Sequence, residues 1–389
     1  MKKLAIIVTE SFSSLRGQAN AELSRIKALR KISNMQIDVY SFAIYEGWLV
    51  RKLRHTAKEE TPLSKIVEDV KISFKWRKFS LIDYVLTVKL NKAPIVNRNW
   101  MLKYVDMFAG YDLIMSHSAD CGELLMAIRD KYKIPFYVTW HGSDIHTWPF
   151  SSRYAWSYTK KILDNAEINF MVSKALLETA NKISTKENKM VLYNGYDDTK
   201  FVRYEDSKRV LLKQKYHVVG KKVVAFAGNL LAIKNPMSLP EIFNNVYKNY
   251  CGDVKFWILG SGKYQEPLRK RFADYKLPVE FCGNVSNEEM PDRYNCIDVL
   301  VLPSLNEGLP LVTVEALACG ANAVGSCEGG IPEVLGEDNV FSLGDMFTYN
   351  IADRIVYLLN NRIEQKLKPC FSWERTAELE SKIYHQNIQ

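Results

Sequence analysis

No uncharged apolar run in the 389 residues approaches the about 20 needed to cross a bilayer as a helix. The most apolar stretch, Leu309 to Cys327, is broken by Glu315 and two glycines. An export signal, with its apolar core of about 7–15 residues, is not expected either: after Lys2-Lys3 only Leu4 to Val8 precede Thr9-Glu10, the length of a strand. The seven cysteines are odd in number and include no Cys-x-x-Cys, which argues against a disulfide framework and a zinc ribbon and predicts a reducing, cytoplasmic setting. With 19 glycines and 13 prolines at ordinary density and no Gly-X-Y period, collagen-like and low-complexity classes fall away. What remains is a core-forming chain, 47% hydrophobic and 12% aromatic, long enough for two domains.

The net charge of +9 is unevenly spread. Residues 1–200 hold 31 Lys and Arg against 21 Asp and Glu, whereas residues 201–389 hold 22 against 23. The excess concentrates between Lys71 and Lys103, where eight cations face one acid, Asp83, with Phe74, Trp76, Phe79, Tyr84 and Trp100 interleaved. A polyanionic substrate and an anionic membrane surface both suit such a segment. Nucleic acid does not, because no recognised nucleic-acid module accompanies it.

Short β-branched runs alternate with longer amphipathic ones, the pattern of βα units on a parallel sheet, and the alternation occurs twice. The first half predicts strands over 4–8, 37–42, 113–116, 136–139, 168–172 and 190–193, with a helix over 17–32. The second predicts strands over 223–227, 256–259 and 299–302, with helices over 236–250, 287–295 and 310–319. Two doubly wound α/β domains follow, joined near the turn-rich Asn194-Gly195-Tyr196-Asp197-Asp198. Ligands of such sheets sit beyond the carboxyl ends of the strands, so the loops there are the places to search.

The most informative of these loops runs from Pro303 through Glu307-Gly308-Leu309-Pro310-Leu311-Val312 to Glu315. Gly308 permits close backbone approach, Pro310 opens a helix, and that helix's free N–H groups face whatever Glu307 faces. Such a loop suits an anion with hydroxyls beside it. A diol such as ribose would satisfy the Glu315 carboxylate with two donors; a structural cap is the plain alternative.

Glu307 and Glu315 form an E-x7-E pattern, and E-G-L-P-L-V-T-V-E-A-L-A-C-G resembles glycosyltransferase family 4. Other segments agree in the family's order: His141-Gly142-Ser143-Asp144, Val172-Ser173, Asn194-Gly195-Tyr196-Asp197, Gly228-Asn229-Leu230 with Lys234, and Gly260-Ser261-Gly262. Phe281 to Val285, Gly329 to Glu333 and Phe371 to Glu374 complete the series. The resemblance is strong from about 136 onward and weak over 40–110.

It implies a GT-B fold: two Rossmann-like domains facing across a cleft, an acceptor-side domain over 1–197 with a returning helix over 373–389, and a nucleotide-sugar-binding domain over 198–372. It further implies that Glu307 holds donor-sugar hydroxyls, with backbone from Gly308, Leu309, Pro310, Leu311 and Val312 against sugar and diphosphate. Glu315 would take the ribose, the backbone of Gly283, Asn284 and Val285 the base, and Lys234 the diphosphate. His141 would face the donor sugar, and Gly17 would let backbone approach the phosphates. No general base is assigned, since retention in this family is thought to use the departing phosphate to accept the acceptor's proton.

No two aspartates lie two apart, so the Asp-x-Asp metal motif is absent; neither metal nor cofactor is expected, and Lys234 with the Pro310 helix must stabilise the leaving group. One departure stands out. Many family members carry Arg directly after the glycine that ends this strand, and here the residue is Asn229, which donates hydrogen bonds but brings no charge; Arg16 is a candidate to compensate.

The sequence therefore predicts a cytoplasmic, metal-independent, retaining hexosyltransferase. It would use a UDP- or GDP-linked donor and a glycan or lipid-linked acceptor in polysaccharide or glycoconjugate biosynthesis, with segment 71–103 in peripheral contact with an anionic membrane. A GT-B nucleotide-sugar epimerase or hydrolase, and a non-catalytic nucleotide- or glycan-binding descendant, are the alternatives.

Overall fold

A computed structural model describes residues 1–12, 17–46, 48–54, 66–67, 69–117, 119–361 and 363–387. Arg16 lies outside the described residues. The chain divides into two compact units: Met1–Asn194 with Trp373–Gln389, and Gly195–Ser372.

The first unit is built on β1 (Lys3–Val8), β2 (Gln36–Glu46), β3 (Ile66–Val67), β4 (Val70–Phe79), β5 (Leu113–Ser116), β6 (Phe136–Trp140), β7 (Ile168–Met171) and β8 (Lys189–Val191). Their order is β3-β4-β2-β1-β5-β6-β7-β8, parallel except for the short β3–β4 pair. The core lies where Leu4, Ile6 and Val8 of β1 meet Leu23 and Ile26 of the helix Gln18–Ile32. The helix Trp373–Asn387 returns to this unit, and its Ala377 and Tyr384 join the same core. A buried ion pair fastens it: Arg25 Nε lies 2.7 Å from Glu380, both almost fully enclosed.

The second unit carries β9 (Lys222–Ala227), β10 (Val254–Leu259), β11 (Val279–Gly283), β12 (Val299–Leu302), β13 (Asn322–Ser326) and β14 (Val340–Phe341). Their order is β11-β10-β9-β12-β13-β14, all parallel. β9, β10 and β12 read as near-continuous apolar runs because helices cover the sheet. The helices Leu239–Asn249 and Phe347–Asn360 pack Ile242, Phe243, Ile351 and Ile355 against Val224, Phe256 and Val301.

The expected strands and helices form, with shifted ends. The strand expected over 37–42 runs to Glu46, and that over 190–193 is Lys189–Val191. The segment expected as a helix over 236–250 opens as a 3₁₀ turn, Pro236–Ser238, before the α-helix. The helix expected over 287–295 runs from Met290 to Cys296. Pro310 caps its helix rather than opening it, the first helical residue being Leu311. β4 was hidden in the basic segment, although Val70, Ile72, Phe74 and Trp76 alternate there with Lys71, Ser73, Lys75 and Arg77.

Candidate active site

Each sheet reverses its strand order once near its middle: around β1 in the first, flanked by β2 and β5, and around β9 in the second, flanked by β10 and β12. Open α/β sheets place their ligands beyond the strand ends at such a reversal.

In the second unit the loops leaving β9 and β12 meet there. Leu305 N–H donates to the Ile233 carbonyl at 2.7 Å, fastening one loop to the other. Lys234 Nζ reaches Glu307 Oε1 at 2.5 Å, so two residues singled out separately in the sequence are partners. Their side chains are only 24% and 11% exposed, which strengthens the pair relative to a surface one. Beside them begins the helix Leu311–Ala318, whose first-turn amides, those of Leu311 and Val312, lack intrahelical acceptors and carry the positive end of the helix dipole. Gly308 is partly exposed and Leu309 buried at the turn into that helix.

Glycines let the surrounding loops approach closely. A Cβ on Gly260 (φ +133°) would lie 2.0 Å from the Gly228 carbonyl oxygen, and one on Gly329 (φ +58°) 2.1 Å from that of Glu307. Gly330 N–H donates to the same Glu307 carbonyl at 2.9 Å. In the sequence Gly329 and Gly330 stand out only as part of the matching series; their seating of the Glu307 loop is set by tertiary packing.

Glu315 lies one helical turn farther in. Tyr294 Oη donates to its Oε2 at 3.2 Å, and burial pushes the carboxyl up to about 7 despite that bond. Tyr294, fully enclosed, was absent from the sequence-based set. Gly283 ends β11 with φ +67°, and its carbonyl accepts from Gly260 N–H at 2.7 Å. Asn284 follows and accepts from Ser261 Oγ at 2.7 Å, before Val285. Asn229 follows Gly228 at the end of β9 and is exposed.

In the first unit Gly17 (φ +53°) caps the helix Gln18–Ile32 beyond β1. His141 follows β6, where Asp144 accepts from the backbone N–H groups of His141 (3.0 Å) and Gly142 (2.7 Å) and fixes the loop. His141 Nε2 lies 3.3 Å from Nδ1 of His117, which follows β5 and was missed; the strand-end rule alone would have found it. Burial and then the nearby Arg25 guanidinium push His141 down to about 3, and burial drives His117 well down too. Both rings are neutral at physiological pH. Glu22, like His117, is fully enclosed, and burial raises its carboxyl far above the usual range. Glu22, His117 and His141 are the group among the described residues whose ligand atoms, within 4.8 Å of one another, could hold a metal ion; the Arg25 charge opposes a second cation there.

Two family models match: "Glycosyltransferase Family 4" over residues 75–200 and "Glycosyl transferases group 1" over residues 221–361. The putative teichuronic acid biosynthesis glycosyltransferase TuaC of Bacillus subtilis is 27% identical over 227 residues, 58% of this chain and 56% of TuaC. A GDP-mannose-dependent alpha-(1-6)-phosphatidylinositol monomannoside mannosyltransferase of Mycobacterium tuberculosis is 26% identical over 217 residues, 53% of this chain and 56% of the relative. The matched region thus spans little more than half of either relative. Among solved structures, Anabaena Alr3699/HepE in complex with UDP and glucose superposes with a TM-score of 0.69 at 16% identity, covering 98% of this chain and 95% of that one. The fold is thereby GT-B, and the two family models fall on the two units, each over its strand-end motifs: the chain belongs to glycosyltransferase family 4.

Proposed function

We propose that this chain transfers a hexose, with retention of configuration and without a metal ion, from a UDP- or GDP-linked donor to a glycan or lipid-linked acceptor. The observation that carries the reading is the Lys234–Glu307 pair beside the first turn of Leu311–Ala318, at the strand-order reversal of the second unit. The second unit is read as the donor side. The first is read as the acceptor side, with the basic segment 71–103 in peripheral contact with an anionic membrane. The similar proteins span both donor bases, since one relative depends on GDP-mannose and a structural neighbour holds UDP and glucose.

The chemistry follows from charge. Cleaving the bond to a nucleoside diphosphate builds negative charge on the departing phosphate, and pre-placed positive groups lower that barrier. Lys234 and the Leu311 and Val312 amides supply them, with backbone from Gly308 to Pro310 against the sugar. Lys234 is paired with Glu307. An incoming diphosphate competes for the ammonium and frees Glu307 to accept from the donor's hydroxyls. Glu315 takes the ribose diol as an ionised acceptor, and the Gly283–Val285 backbone meets the base. From the first unit, His141 offers a neutral ring to the sugar, and Gly17 leaves its backbone open to phosphate. The departing phosphate takes the acceptor's proton on the face it leaves, which yields retention.

The test is a panel of UDP- and GDP-sugars in EDTA, scored for nucleoside diphosphate release and for the anomeric configuration of the product. Release with one nucleotide family, retention in the product, and a Glu307→Gln variant that binds but does not turn over are expected. A strict metal requirement, an inverted product, free sugar as the only product in the presence of acceptor, or full activity in Glu307→Gln would overturn the reading.

A further inference from the structure

Three neighbouring strands of the first unit, β1, β5 and β6, are each followed by one member of an enclosed polar cluster. Glu22 lies in the helix Gln18–Ile32 that comes after β1, while His117 and His141 directly follow β5 and β6. The backbone of His117 is pinned to the first of these strands, its N–H donating to the Ile7 carbonyl at 3.1 Å.

The two imidazoles meet edge to edge. His117 Nδ1 and His141 Nε2 are 3.3 Å apart, a distance that takes up most of the 5.5 Å between the ring centroids, and the ring planes differ by only 26°. One nitrogen of that pair donates and the other accepts. A neutral imidazole carries a single proton, so the direction of this one bond fixes both tautomers together. If His117 donates, the proton of His141 sits on Nδ1; if His141 donates, its Nδ1 is a bare lone pair.

Glu22 decides between the two. Its Oε1 accepts from Gln18 Nε2 at 2.8 Å, whereas its Oε2 and the Nε2 of His117 are both enclosed and have no hydrogen-bond partner among the described residues. No cation stands in ion-pair reach of Glu22 among the described residues either, since Arg25, one helical turn on, is engaged by Glu380. A carboxyl group enclosed without a counter-ion is favoured as the neutral acid. With Oε1 already accepting, the acid's proton belongs on Oε2, and an O–H there satisfies both orphaned atoms by donating to His117 Nε2. His117 then holds its own proton on Nδ1 and donates it to His141.

We propose that Glu22 and His117 are positioning residues that lock His141 as the tautomer protonated on Nδ1. That nitrogen, which has no partner among the described residues, is thereby an N–H donor. It can hold a sugar oxygen but cannot take up a proton, in keeping with a transfer that uses no protein base. The step to the sugar rests on the function proposed above; the tautomer does not.

The experiment is a long-range nitrogen–proton correlation spectrum of the full chain with nitrogen-15 in its histidines, recorded in EDTA without donor. His141 is assigned by the signals lost in His141→Gln. A protonated Nδ1 and a bare Nε2 are expected on His141 and on His117. Glu22→Gln, whose amide still donates, should keep this tautomer and most of kcat. Glu22→Met, which cannot donate, should let His141 populate both tautomers and lower kcat about five- to tenfold with the donor KM little changed. If Glu22→Met fails to fold, the wild-type spectrum decides alone. A proton on Nε2 of wild-type His141, an imidazolium there, or a folded Glu22→Met with the wild-type tautomer and full kcat would overturn the proposal. A His141 protonated on Nδ1 in a chain that transfers no sugar upholds the tautomer and overturns the transferase reading instead.

Discussion

Placing the ribose at Glu315 predicts a pH dependence of donor binding whose size can be worked out. Burial holds its carboxyl at about 7. A ribose diol donating to it stabilises the ionised form, so the pKa falls on binding and a proton is released. The sign is therefore fixed: affinity rises with pH up to the free-site pKa and levels off above it. With that pKa near 7, about nine-tenths of the sites are protonated at pH 6 and about one-tenth at pH 8, which makes the dissociation constant about tenfold smaller at pH 8. The ligand should be a nucleotide sugar, whose diphosphate diester has no ionisation in this range, titrated calorimetrically in two buffers of different protonation enthalpy. About half a proton should be released per donor bound at pH 7, and Glu315→Gln should bind with a flat profile. A wild-type constant that is flat or grows with pH, or a Glu315→Gln variant that keeps the slope, would refute the placement of the ribose at Glu315.

Four further outcomes follow from the geometry. Lys234→Ala should lower turnover by about 10²–10³-fold, the loss typical of one missing oxyanion donor, with a much smaller change in donor affinity as read by single-turnover kinetics. Asn229→Arg, which adds a cation at the end of β9, should raise the rate of nucleoside diphosphate release; an unchanged rate would remove that position from leaving-group stabilisation. Gly329→Ala must displace the Glu307 carbonyl, which lies 2.1 Å from the added Cβ, and should weaken donor binding at least tenfold while the circular dichroism spectrum stays native. Arg25→Met leaves Glu380 buried without its 2.7 Å partner and should cost about 3–5 kcal/mol in denaturant unfolding, most of it restored in Arg25→Met with Glu380→Leu.

The sequence disclosed those parts of the site that depend on local pattern. Apolar strands ending in Gly228, Gly260 and Pro303 and the glutamates eight apart could be read directly, because a parallel sheet buries its strands on both faces and releases its loops at one end. Contacts set by tertiary packing could not. Nothing in the spacing of Lys234 and Glu307 announces that they pair, and Arg25 and Glu380 are 355 residues apart. Tyr294 lies in a helix whose start was expected three residues early, and its bond to Glu315 comes from the packing of two helices. His117 and β4 were different, since both had signals: a histidine at a strand's carboxyl end, and a period-2 alternation masked by the density of lysine and arginine.

The central claim is that a nucleotide sugar sits on the second unit's strand-end loops, and a crystal structure of the chain soaked with the donor that releases its nucleotide tests it most directly. The account predicts the ribose hydroxyls within hydrogen-bond reach of Glu315 and the diphosphate on the Leu311 and Val312 amides. Lys234 should have turned from Glu307 toward phosphate. Nucleotide bound away from these loops, or bound there with the Lys234–Glu307 pair intact and Glu315 still held by Tyr294 alone, would contradict it.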